Sequence, residues 1–208
     1  MVNKFNKGLK SNSPLCSGKT NVEQWVLYSF AENVNLKFII ERFIPIIGSC
    51  TKKIESFLEF KNSSSGLVFI GHGNENGVYK PEFFENGLCE DFFDAETIGK
   101  CNSSPQVWWA CHSSKWMSHN TRSWLGFESY IGINIRKSET KIWQSFLDEF
   151  ILHSLRTLLK MNTEDNFSNK INAFKKRFHH LHFKKRKISY GSYICLLSHL
   201  KNIHIQPN

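Results

Sequence analysis

Two four-residue runs without a polar side chain, Leu67-Val68-Phe69-Ile70 and Val107-Trp108-Trp109-Ala110, constrain this chain more than any other feature. A run that is apolar at every position has no solvent face, so as a strand it must be covered on both sides. That is the situation of a central strand in a parallel sheet, with crossover helices on the faces. Each run also ends in a reactive side chain followed by small residues. The first leads into Gly71-His72-Gly73, and the second into Cys111-His112-Ser113-Ser114, with Cys111 lying 39 residues after His72.

The 208 residues suffice for one domain with a real core, and 40% hydrophobic with 14% aromatic content is globular composition. No apolar run reaches the length of a membrane span. The start, Met1-Val2-Asn3-Lys4, has no apolar stretch of the secretory kind, so a cytoplasmic, reducing location is the expectation. The cysteines Cys16, Cys50, Cys89, Cys101, Cys111 and Cys195 are widely spaced with no C-x-x-C pair. They read as thiols, Cys89, Cys101 and Cys195 being buried ones, and neither a metal nor a cofactor is expected.

Hydrophobic periodicity divides the chain into a loose polar segment (1–19), a main domain (20–165) and a basic helical extension (166–208) packed on or completing it. Gly18-Lys19-Thr20 resembles the end of a phosphate-binding loop, but Ser13 stands where a glycine is needed. Thr20-Asn21-Val22-Glu23 has the form of a capping box and predicts a helix to about residue 33. Residues 36–43 fit either a strand stopped by Pro45 or a helix, and 50–60 fit an amphipathic helix. After the strand at 67–70 an irregular segment (81–94) and a short helix (95–100) are expected. The strand at 107–110 is followed by a loop (112–123), a further strand with its exit (124–133), a long helix (139–161) and a basic helix (167–182). Residues 188–200 are apolar without a clear period. Helices alternating with buried strands predict an α/β fold with a mainly parallel sheet.

In such sheets reactive groups gather beyond the carboxyl ends of the strands, where His72 and Cys111 both stand. An unperturbed thiol, with a pKa of about 8.5, is only a few per cent thiolate at neutral pH. A nearby imidazole can take its proton and later return it to a leaving amine. The backbone N–H groups of Gly73 and Cys111 are candidates for holding the oxyanion of a tetrahedral intermediate. His112 competes as the base, although neighbours at a strand end point to opposite sides. Trp108, Trp109, Trp116 and Trp124 crowd the same segment and read as core and rim packing, with an aromatic substrate wall as the sharper alternative.

An apolar strand followed by His72-Gly73-Asn74-Glu75-Asn76-Gly77, then an apolar strand ending in Ala110-Cys111, resembles the caspase-like (clan CD type) cysteine peptidases. That group holds caspases, metacaspases, legumains, gingipains, separases and the bacterial CHAT domains, and the resemblance covers residues 36–135. Trp109 stands where caspases carry Gln, and Ser113-Ser114 suit the legumain, separase and CHAT branches better. The short single chain is most similar to the bacterial CHAT and caspase-like proteases. The resemblance implies a three-layer α/β/α sandwich, a His72/Cys111 dyad, an oxyanion site at Gly73 and regulated endopeptidase activity on a protein substrate. An activator, and a role in bacterial defence or cell death, are implied with it. It leaves the substrate pocket open: Glu75, Asp91, Asp94 or Glu128 would favour Lys or Arg, whereas Lys115, Arg122 or Arg136 would favour acids. Lys115 and Arg122 are also candidate self-processing sites.

The net charge of +9 is unevenly placed, because residues 167–208 contain nine Lys or Arg and no Asp or Glu. The segment Lys175, Lys176, Arg177, Lys184, Lys185, Arg186 and Lys187 is either a solvated face or a site for an anionic partner: nucleic acid, membrane surface or acidic protein. The alternative to a peptidase is therefore an inactive domain or basic binding module acting through residues 167–187. His179, His180 and His182 have no acidic or Cys ligands beside them, which argues against a metal there.

Overall fold

Alternate side chains of the apolar runs enter two different cores on opposite faces of one sheet. Val68, Ile70, Val107 and Trp109 join one cluster, while Leu67, Phe69, Trp108 and Ala110 join the other. A computed structural model describes residues 25–29, 34–48, 51–52, 66–79, 91–118 and 120–207. In chain order these form β1 (Trp25–Ser29), α1 (Val34–Ile47), β2 (Thr51–Lys52), β3 (Gly66–Ile70), β4 (His72–Gly73), β5 (Gly77–Tyr79), β6 (Asp91–Asp94) and α2 (Ala95–Gly99). There follow β7 (Gln106–Trp109), α3 (Ser113–Met117), β8 (Trp124–Phe127), a 3-10 turn (Lys137–Glu139), α4 (Thr140–Leu158), α5 (Glu164–His179), a π-helical turn (His180–Lys184), α6 (Tyr190–Asn202) and β9 (Ile203–Gln206).

The main sheet runs β2-β1-β3-β7-β8-β9, with the first five strands parallel and β9 antiparallel at the edge. The chain is thus a mixed α/β protein with a mostly parallel sheet. Helices α1, α4, α5 and α6 cover one face, burying Phe43, Phe146, Phe150, Phe174, Phe178 and Leu196. The other face is covered by α2, α3 and the small antiparallel sheet β4-β5-β6, through Ile98, Trp116, Met117, Val78 and Phe93. No described helix is long and apolar enough to cross a membrane.

Several elements differ from expectation. Residues 25–29 form a strand and not part of a helix, because Trp-Val-Leu-Tyr-Ser pairs residue for residue with β3, from Trp25 with Gly66 to Ser29 with Ile70. Leu27 and Tyr28 then enter opposite cores, which no single helix face would allow. The ambiguous 36–43 stretch is helical, and α1 runs through Pro45 because Ile46 and Ile47 gain burial beyond it. Gly48, at φ 67, then ends it with its N–H on the Ile44 carbonyl. Thr51–Lys52 is a strand where a helix over 50–60 was expected; residues 53–65 and the capping box at 20–23 lie outside the described residues. The loop predicted at 112–123 contains α3, and the basic helix gives way to a π turn at residue 180. The unassigned 188–200 stretch is α6.

One buried carboxylate ties α6 to the long helix. Glu139 accepts the Ser189 N–H at 2.7 Å, and the Ser192 hydroxyl lies between its other oxygen and the Asn134 carbonyl. Ser189 caps α6, so the carboxylate also faces the helix end where negative charge is favoured.

Candidate active site

His72 and Cys111 occupy matching positions beyond two adjacent parallel strands. The β3–β7 ladder ends with Ile70 opposite Trp109, and the Gly71 N–H donates to the Trp109 carbonyl at 3.2 Å. His72 and Cys111 are each two residues past that last pair, in phase with it. Both line a cleft of about 180 Å³, with Gly71 and Trp109 as neighbouring walls and Asn35, Leu36, Ile131 and Ile133 completing it. Asn35 and Leu36 come from the start of α1, and the two isoleucines from the segment after β8.

The thiol sits against Ile131. The Ile131 N–H points at Sγ at 3.4 Å, and its carbonyl lies 3.9 Å from the sulfur. Burial pushes the Cys111 pKa up, and the Ile131 N–H partly opposes it by favouring the thiolate. His72 is half-buried, and burial moves its pKa below the ordinary imidazole value. At neutral pH the two groups therefore rest as thiol and neutral imidazole.

Gly73 is held in place by close packing. A β-carbon there would meet Trp116 Cη2 at 2.5 Å and the Cys111 carbonyl oxygen at 2.6 Å. In the β4–β5 hairpin the Asn74 N–H bonds to Gly77 O, so antiparallel alternation makes Gly73–Val78 the non-bonded pair. The Gly73 N–H consequently faces away from β5. Two further contacts fasten this loop to α3: Trp116 Nε1–H donates to the Asn74 carbonyl at 2.9 Å, and Lys115 pairs with Glu75 at 2.5 Å. Substituting Gly73 with Ala is expected to force the His72 loop from the Cys111 turn. For a chain with the peptidase activity that the resemblance implies, that activity should fall about 10–100-fold while the far-ultraviolet circular dichroism stays unchanged; undiminished activity would show that the close approach is dispensable.

The small residues after Cys111 have a packing reason. Ser113 Oγ lies 2.8 Å from both the Trp108 and Ala110 carbonyls and accepts the Phe127 N–H at 2.9 Å, joining the ends of β7 and β8. Gly126 lets this happen, since a β-carbon there would lie 2.9 Å from Ser113 Oγ. His112, between them at φ 58, turns away from the cleft and packs edge-on against Tyr130 at 4.5 Å.

Known protein families, curated proteins and solved structures offer no match to this chain. The geometry must stand alone.

That geometry brings His72, Gly73 and Cys111 together and leaves the charged pocket candidates elsewhere. Glu75 and Lys115 neutralise each other, Asp94 caps α2 by accepting the Thr97 N–H at 2.7 Å, and Arg122 binds Cys101 O and Asn102. None of these, nor Glu128 or Arg136, lines the cleft; the Asp91 side chain lies outside the described residues. Self-processing at Lys115 would require α3 to unwind first. Trp108, Trp109, Trp116 and Trp124 are all buried, as core packing requires, and only Trp109 reaches the cleft. Cys101 is a buried thiol and Cys195 a half-buried one, while Cys16, Cys50 and Cys89 lie outside the described residues. Among the described residues no group of three or more His, Cys, Asp or Glu gathers as for a metal. His182 instead donates Nδ1–H to the Ile188 carbonyl at 3.0 Å. Sequence reasoning missed Asn35 and Ile131, whose parts depend on tertiary placement and have no local motif.

Proposed function

We propose that this chain is a cysteine endopeptidase of the caspase-like kind, with Cys111 as nucleophile and His72 as general base. The observation that carries this is the in-phase emergence of the two side chains from β3 and β7 into one cleft. The mostly parallel sheet with a core on each face is compatible with the α/β/α sandwich that the resemblance implies. His72 takes the Cys111 proton as Sγ bonds to the scissile carbonyl carbon. The N–H groups of Gly73 and Cys111 hold the resulting oxyanion. On collapse the C–N bond breaks and the proton passes from His72 to the leaving amine. Water, deprotonated by His72, then hydrolyses the thioester and restores the thiol.

Among the described residues the cleft wall is apolar or neutral, through Leu36, Ile131, Ile133, Trp109 and Asn35. A neutral apolar side chain beside the scissile bond suits it better than Asp or Lys. A reducing, cytoplasmic setting, control by an activator, and a part in bacterial defence or cell death belong to the same reading. Peptidyl halomethyl ketones ending in Leu, Asp or Lys test it, with the adduct mapped by mass spectrometry. Alkylation of Cys111 ahead of Cys101 and Cys195, fastest with Leu and slowed in His72→Ala, is the expected result. Equal labelling of all three cysteines, indifferent to His72, would sink the dyad. Faster labelling by the Asp or Lys probe would remove the specificity assignment alone.

A further inference from the structure

Between α5 and α6 lies an open groove of about 520 Å³, far from neutral in its lining. Tyr193 and Leu197 form an apolar floor, while Lys175 and Lys176 from α5, Lys184 from the π turn and Lys201 from α6 stand around it. Nearby Glu149 takes Lys170 at 2.6 Å and Arg177 at 3.4 Å. Among the described residues the four groove lysines have no acidic partner. Nor can their own segment supply one, since residues 167–208 contain no Asp or Glu. Four ammonium groups converging without a counter-charge repel one another, and an external polyanion relieves that repulsion.

Aromatic surface continues from the floor to the lip. Phe183, 53% exposed, packs on Tyr193 at 5.5 Å. His182 stacks on Tyr193 itself at 4.8 Å and reaches Tyr190, 67% exposed, at 5.9 Å. We propose that this groove binds single-stranded nucleic acid, with phosphates at the lysines and unstacked bases on Phe183 and Tyr190. A bilayer is a poorer fit, because it presents its charge on one plane, whereas the four lysines come from three elements, α5, the π turn and α6, around the Tyr193 and Leu197 floor. An acidic peptide supplies charge without planar groups for the exposed rings, and a duplex keeps its bases stacked on each other.

The test uses the full chain carrying Cys111→Ala, so that its outcome is independent of peptidase activity. Fluorescence anisotropy compares labelled oligo-U and oligo-dT of about 12 nucleotides with a duplex of equal length. Phosphatidylserine vesicles and polyglutamate serve as competing polyanions. Either single strand should bind at least about tenfold tighter than the duplex, and log K should fall by roughly 3 per decade of salt for four phosphate contacts. Lys175→Gln, Lys176→Gln, Lys184→Gln and Lys201→Gln together should cost at least about tenfold and flatten the salt slope. Phe183→Ala should weaken binding about fivefold or more with the slope unchanged. Tighter binding of vesicles, polyglutamate or duplex than of either strand would overturn the proposal. So would wild-type affinity in a quadruple Lys→Gln variant with an unchanged melting curve.

Discussion

Replacing Cys111 with Ala is expected to reduce peptide hydrolysis to the uncatalysed background, and His72→Ala to lower kcat by roughly 10²–10⁴-fold. The two losses differ because in the proposed reaction the cysteine forms the covalent intermediate, whereas the histidine only moves its proton. The pH profile separates this pair from a preformed thiolate–imidazolium couple. Burial lowers the His72 pKa from its usual 6.5 and raises that of Cys111 above the ordinary thiol value. The competent state, neutral thiol beside neutral imidazole, therefore spans a window extending below pH 6.5 and above the ordinary thiol pKa of about 8.5. Acid below that window protonates the base. Alkali above it removes the proton owed to the leaving amine, so an ester with a better leaving group should lose the alkaline limb first. An acid limb that stays in place in His72→Ala would show that His72 is not the base. Alkylation of Cys111 at an undiminished rate in mildly acidic solution would show that the thiolate is already formed at rest.

The parts of this molecule that were legible in the sequence are those whose cause is local. Leu67–Ile70 and Val107–Ala110 declare buried strands because no arrangement with a solvent face suits them, and the α4 stripe declares a core helix. His72 and Cys111 follow at once from where those strands end. What was misread depends on partners far along the chain. Trp25–Ser29 has helix-compatible residues and becomes a strand only by pairing with β3 some 40 residues later. The cleft walls at Asn35 and Ile131 come from segments on either side of the dyad, and no spacing rule predicts that they meet. Charge also misleads when read singly: Glu75 and Lys115 each suggested a specificity pocket, yet each neutralises the other across the loop they fasten. The adjacent serines show the reverse case. Small residues after Cys111 carried the likeness to the legumain, separase and CHAT branches, and Ser113 has a packing task as well, being buried and joining β7 to β8.

Lowering the pH from 7 to 5 is expected to destabilise the fold by about 2 kcal/mol through His199 alone, rising to about 3 kcal/mol near pH 4. His199 is 0% exposed on α6, with the rings of Trp109, Phe127, Trp143, Phe146 and Phe150 around it at 5.5 to 6.4 Å. Its Nδ1–H donates to the Cys195 carbonyl at 2.8 Å, while Nε2 has no hydrogen-bond partner among the described residues. A proton on Nε2 would place a charge among aromatic rings, so burial lowers the pKa from 6.5 to about 4. Between those values the unfolded chain binds a proton that the folded chain refuses. Stability is therefore complete above pH 6.5 and is lost as the pH falls toward 4. Denaturant unfolding at pH 7 and pH 5 measures the histidine contribution as a sum, to which the lowered carboxylates Glu75, Asp94 and Glu149 add little because they remain ionised over that interval. His72 and His153 are also lowered by burial and act in the same direction, which makes the variant comparison the decisive one. His199→Leu should remove most of the slope, and an equal slope in the variant would place the acid sensitivity elsewhere. The consequence reaches the site, because Trp109 touches His199 at 5.5 Å and also walls the cleft beside Cys111. Peptidase activity in His199→Leu should accordingly persist to lower pH than in the parent chain, limited then by His72 alone.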